Sequence, residues 1–93
     1  MQADDTICAS DDVVAREVAG EQVLLNLETG TYFGLNPVGA HVWQALERGP
    51  ASIAALVDAV VSEFDAERDV VEEDLLALAA DLVDNGLVTH QPA

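Results

Sequence analysis

The sequence predicts an α+β fold, winged helix-turn-helix-like, in which a three-stranded antiparallel sheet is followed by three helices. Three observations predict it. Short β-rich runs follow one another from Val13 to Leu35, each bounded by turn residues. Three longer segments then carry the helical period with recognisable caps. The last two helices are joined through Asp65 to Asp69, a turn of helix-turn-helix length. With 93 residues, 51% of them hydrophobic, the chain has material for one core and no more.

Residues 1 to 11 mix Asp, Ser, Ala and Gln without either hydrophobic period, and are expected to be a flexible N-terminus containing the single Cys8. Residues 12 to 90 form the single domain, and 91 to 93 a tail. The expected strands are Val13 to Val18, Gln22 to Leu27 and Thr31 to Leu35. Ala19-Gly20 closes the first hairpin, while Glu28-Thr29-Gly30 suits a type I turn whose Gly30 takes positive φ in a bulge. Asn36-Pro37 then starts a helix, since Asn accepts from free helix N–H groups and Pro fits the first helical position. That helix runs to about Glu47, and Gly49-Pro50 stops it. Ser52 caps a second helix, Ile53 to Phe64, whose apolar stripe is Ile53, Leu56, Val57, Val60, Val61 and Phe64. Asp69 and Glu72 read as the capping box of a third helix, which ends at Asp84 before an Asn85-Gly86 cap. Leu87 and Val88 fold back as an apolar clamp.

Charge excludes several function classes. The formal charge is -15, from 18 acids against three arginines and no lysine. Residues 58 to 84 hold ten acids and one arginine, so the helix that would read a DNA groove is acidic and repels phosphate. Charge therefore disfavours nucleic acid and anionic membrane surfaces as partners, and no apolar run is long enough to span a bilayer. One cysteine and no basic, apolar leader segment point to the cytoplasm.

Catalysis needs a nucleophile, a base and an orienting group at converging positions. His41 on the first helix, His90 near the end and Cys8 do not converge by spacing, so the chain is expected to be no enzyme. No CxxC, HxxxH or EF-hand loop is present, so neither a metal nor another cofactor is expected. Glu72, Glu73 and Asp74 are adjacent on a helix and point about 100° apart, which suits a solvated first turn rather than a ligand set.

Core packing leaves one feature unused, the edge of a three-stranded sheet with unpaired backbone groups. The last strand, Thr31, Tyr32, Phe33, Gly34 and Leu35, carries no Lys or Pro to discourage pairing. Its side chains alternate, so one of Tyr32 and Phe33 packs inward and the other faces out. The third helix carries a core stripe at Val71, Leu75, Leu78 and Leu82 and a second apolar line at Leu76, Ala79 and Val83. A groove between that helix and that strand, apolar in its walls and acidic at its rim, suits an extended peptide with hydrophobic and basic residues. Candidate peptide contacts are Thr31 to Leu35 on the strand and Val71, Asp74, Leu75 and Leu78 on the helix. Two other uses remain open: a winged-helix transcription factor, and a homodimer in which the bare edge pairs with its own copy.

The segment LNLETGTYFGLNPVGAHVWQALERG resembles the PqqD-like chaperones, also called RiPP recognition elements. The matching pieces are the Glu28-Thr29-Gly30 turn, Tyr32-Phe33, Leu35-Asn36, Gly39 to Trp43, Asp74-Leu75 and the Asn85 to Val88 ending. The resemblance covers about residues 13 to 88. It implies a non-catalytic adaptor that binds the leader peptide of a ribosomally synthesised, post-translationally modified peptide as an added strand. The Thr-Gly-x-Tyr-Phe form is similar to stand-alone proteins of lasso-peptide clusters, where the further partner is a leader peptidase. In the PqqD branch proper it would be a radical S-adenosylmethionine enzyme.

Overall fold

In the computed structural model, which describes residues 1–92, the chain forms six strands and three helices. In order these are β1 (Thr6–Ala9), β2 (Val13–Val18), β3 (Glu21–Asn26), β4 (Tyr32–Leu35), α1 (Pro37–Glu47), β5 (Ala51–Ser52), α2 (Ile53–Phe64), α3 (Arg68–Asp84) and β6 (Val88–Gln91). The three helices and the antiparallel sheet β2-β3-β4 stand where the sequence placed them. The single sheet expected does not: a second antiparallel sheet, β5-β1-β6, joins the start of the chain to its far end.

That second sheet corrects the flexible N-terminus. Thr6 pairs with Ser52 and Gln91, and Ile7, almost wholly buried, pairs with Ala51 and His90. The segment before β1 is tied as well, because the Asp5 and Ala3 carbonyls accept from Ile53 and Ala54, two of the free N–H groups that begin α2. Asp5 Oδ2 lies 2.8 Å from His90 Nε2 and accepts from the Gln2 N–H. The expected tail is shortened correspondingly, since Gln91 is the last residue of β6, and Ala93 lies outside the described residues.

The caps follow side-chain chemistry. Asn36 Oδ1 accepts from the Gly39 N–H at 2.8 Å with Pro37 opening α1, and Ser52 Oγ accepts from the Ala55 N–H at 3.1 Å to open α2. The third helix departs from expectation. It begins two residues earlier, at Arg68, with Glu67 in place of Asp69 at its cap position and no side-chain cap bond. Asp65, in left-handed conformation at φ 50°, turns the chain sharply enough that α3 starts before Asp69. Both hairpins are as read, with Ala19 and Gly20 at positive φ between β2 and β3, and Gly30 at φ 76° after the second turn.

Ile7, Leu24, Ile53, Leu56, Val57, Val60, Leu82 and Leu87 are the most deeply buried side chains, in one core to which both sheets and all three helices contribute. Two polar residues, Asp5 and Asn26, are buried beside it. Asn26 is buried at the end of β3, where its Oδ1 accepts from the Glu28 and Thr29 N–H groups at 3.0 and 3.3 Å. Its Nδ2 donates to the Asn85 and Gly86 carbonyls at 3.2 and 3.3 Å. The same amide thus shapes the β3–β4 turn and clamps it to the end of α3. Gly86 is required beside it, being at φ 69° in a place where a Cβ would stand 3.0 Å from Asn26 Nδ2.

Replacing Asn26 by Ala removes four part-buried hydrogen bonds, an expected loss of about 2–3 kcal/mol. For a domain of this size that is a fall in Tm of roughly 10–20 °C in a thermal melt. Asn26→Asp keeps the turn acceptor but sets a carboxylate oxygen against two carbonyls, so it should lose at least as much. An Asp variant melting near the parent would mean that only the turn, and not the clamp on α3, matters.

Candidate functional site

The register of β4 on β3 pairs Leu24 with Phe33 and Leu25 with Tyr32. Opposed residues share a face, so Phe33 lies with the fully buried Leu24, and Tyr32 lies on the other side of the sheet, 72% exposed. Leu35, two residues beyond Phe33, is buried on the inner face. The question of which ring points inward is thereby answered: Phe33 packs against the core.

Backbone direction follows from the same register. The Asn26 N–H donates to the Thr31 carbonyl at 2.9 Å, which makes that pair hydrogen-bonded across the strands. Alternation along an antiparallel ladder then turns Phe33 and Leu35 toward β3 and leaves the N–H and C=O groups of Tyr32 and Gly34 facing away from it. No strand among the described residues pairs with that side of β4.

Between β4, the start of α1 and α3 lies a groove of about 500 Å³. Phe33, Gly34 and Leu35 form one wall, Asn36, Val38 and Gly39 the end near α1, and Asp74, Leu75, Ala77, Leu78 and Asp81 the helical wall. Gly39 permits the close approach at that end, for a Cβ there would meet Leu35 Cδ2 at 3.1 Å and Asn36 Oδ1 at 3.3 Å. Asp74, Leu78 and Asp81 are spaced i, i+4, i+7, so two exposed carboxylates flank an apolar stretch about two helical turns long.

Of the sequence candidates, Phe33, Gly34, Leu35, Asp74, Leu75 and Leu78 come together in this groove. Thr31, Tyr32 and Val71 do not line it. Thr31 lies in the turn with its hydroxyl bonded to that of Thr29, and Val71 is buried in the core one turn before Leu75. Asp81, Asn36, Val38, Gly39 and Ala77 were not singled out in advance. Asp81 was legible as the residue seven after Asp74; the others depend on how closely α1 approaches β4.

The remaining polar groups lie apart. His41 packs edge-on to Phe64, with ring centroids 5.5 Å apart. Cys8 and His90 sit on neighbouring strands but opposite faces, since the register sets Cys8 against Thr89 and His90 against Ile7. Among the described residues, no three His, Cys, Asp or Glu side chains converge as a metal-binding group, and no helix is long and apolar enough to cross a membrane.

Residues 21–88 match the family model described as coenzyme PQQ synthesis protein D (PqqD), well over half the chain. The chain belongs to the PqqD family. Two solved structures share its fold and much of its length. "TbiB1 in Complex with the TbiA(beta) Leader Peptide" is 41% identical, with a TM-score of 0.77 over 87% of this chain and 93% of that one. "Lasso peptide synthetase B1 complexed with the leader peptide" is 29% identical, with a TM-score of 0.75 over 89% of this chain and 96% of that one. No curated protein matches the chain in sequence.

The two aromatic positions of β4 should separate in a stability assay. Phe33→Ala opens space against Leu24 at the edge of the core and is expected to cost about 2–3 kcal/mol, less than the roughly 3–5 kcal/mol of a fully buried ring. Tyr32→Ala, on the exposed face, should stay within about 0.5 kcal/mol of the parent by denaturant titration. Equal losses at the two positions would contradict the facing described above.

Proposed function

We propose that the protein is a non-catalytic adaptor that binds the leader peptide of a ribosomally synthesised, post-translationally modified precursor, of the lasso-peptide type, and presents it to a leader peptidase. The observation that carries this reading is the groove itself: an unpaired strand edge facing an apolar, acid-flanked helix. An extended peptide entering it would hydrogen-bond the outward N–H and C=O groups of Tyr32 and Gly34, extending β2-β3-β4 by a strand. Phe33, Leu35, Leu75 and Leu78 would take its apolar side chains. Asp74 and Asp81 would take basic side chains at the rim, where a net charge of -15 also steers a cationic segment inward.

The likeness to a lasso peptide synthetase B1 solved with the leader peptide, 29% identical over 89% of this chain, favours the lasso branch over delivery to a radical S-adenosylmethionine enzyme. The separation of Cys8, His41 and His90 supports a role without chemistry of its own, and the acidic α3 argues against a winged-helix DNA reader. A cytoplasmic site of action fits a single unpaired cysteine.

Calorimetric titration with the leader of the cognate precursor should give a Kd from sub-micromolar to micromolar, about -8 to -10 kcal/mol. Gly34→Pro should abolish that binding while the protein stays folded. Its N–H faces the open edge, its surroundings are empty, and proline there removes a donor from the incoming strand and none from the ladder to β3. Full affinity in the Gly34→Pro variant would exclude β4 as the docking edge.

A further inference from the structure

The inner face of β2-β3-β4 is not packed on the core along its whole length. Its middle row, Ala15, Leu24 and Phe33, belongs to the core, whereas the next row toward the Ala19-Gly20 hairpin is Glu17, Gln22 and Leu35, set opposite one another by the register. The first turn of α1 faces that row across a cleft of about 410 Å³. The apolar Leu35, Pro37 and Ala40 line it together with the polar Glu17, Gln22 and Asn36.

Two features identify an occupant, the first being charge. Glu17 makes no hydrogen bond or ion pair among the described residues. The chain has no lysine, and its three arginines are placed elsewhere: Arg16 on the other face of the sheet, Arg48 at the far end of α1 and Arg68 on Asp58. A carboxylate beside an apolar surface matches a Lys or Arg side chain, whose hydrocarbon stem packs on apolar groups while its charged head stays at the polar rim. The second feature is continuity, since Leu35 and Asn36 line both this cleft and the groove between β4 and α3. From a strand added to β4, β3 is two strand spacings away, roughly 10 Å, a span that about three extended residues cover. A peptide held in the groove therefore reaches the cleft with residues that have left the strand at its Leu35 end.

We propose that this cleft is a second subsite for the same leader, taking a Lys or Arg side chain from the residues that flank the added strand, with Glu17 as its counter-charge. This rests on the leader-binding reading above and adds selectivity to it. Strand addition uses backbone groups that every peptide carries. A carboxylate at a fixed distance from the end of the strand instead favours leaders with a basic residue within about three positions of that end.

The test is calorimetric titration of the full chain with the leader of the cognate precursor. Glu17→Lys is expected to weaken binding at least about tenfold and Glu17→Gln about threefold. Asp11→Lys makes the same change of charge just before β2, at the other end of the sheet, and lines neither cavity, so it should stay within about twofold of the parent. Replacing the Lys and Arg residues of the leader by Gln one at a time should find one whose loss weakens binding to the parent and leaves binding to Glu17→Lys unchanged. A Glu17→Lys protein that binds the leader as well as Asp11→Lys does, or that responds to every leader change as the parent does, overturns the proposal. Gly34→Pro keeps the two readings apart. If it still abolishes binding, the groove stands without the cleft; if it binds as the parent does, the groove reading fails whatever the Glu17 variants show.

Discussion

The Asn26 side chain is the constraint on which the geometry of the groove depends. A buried amide is costly unless its hydrogen-bonding groups are met, and here both acceptor bonds go to the β3–β4 turn while both donor bonds go to the end of α3. The two walls of the groove are β4 and α3, so one side chain ties the element that leads into each. Apolar packing alone would allow the helix to slide or tilt against the sheet at small cost. Directional bonds to two successive carbonyls at a helix end do not, and Gly86 supplies both the backbone turn and the space that make those bonds reachable.

Around that clamp, three surfaces of one small sheet are used differently. The inner face closes the core through Leu24, Phe33 and Leu35. The edge of β4 leaves two residues of backbone unpaired beside an apolar helix. The outer face carries Val14, Val18, Val23, Leu25 and Tyr32, with Arg16 and Glu21 among them. With a charge of -15, copies of the chain repel one another, which opposes pairing of identical edges. Acidity and an open edge are in this way parts of one arrangement.

Much of this was legible in the sequence because its cues are local. Asn36-Pro37, Ser52, Ala19-Gly20 and Glu28-Thr29-Gly30 act on residues within a few positions of themselves, and the elements they bound lie where expected. The second sheet was not legible. Its central strand, Thr6–Ala9, contributes one strongly apolar residue, Ile7, and its partners Ala51–Ser52 and Val88–Gln91 lie far along the chain, so no periodicity announces it. For the groove, the spacing of Asp74, Leu75 and Leu78 was enough to place them, whereas Val71, one turn earlier on the same stripe, lies outside it, because a helical stripe does not reveal which part of its length stands opposite the strand. The choice between Tyr32 and Phe33 needed the register with Leu24. The clamp made by Asn26 was hidden for the same reason as the second sheet: its two halves are joined only in three dimensions.

The most direct test of strand addition is residue-resolved amide hydrogen exchange by NMR, with and without the leader peptide. In the free protein the Phe33 and Leu35 amides, bonded to β3, should already be protected, while those of Tyr32 and Gly34 exchange freely. Leader binding should slow exchange at Tyr32 and Gly34 and change Phe33 and Leu35 little. Tight leader binding with Tyr32 and Gly34 still exchanging as in the free protein would contradict the account.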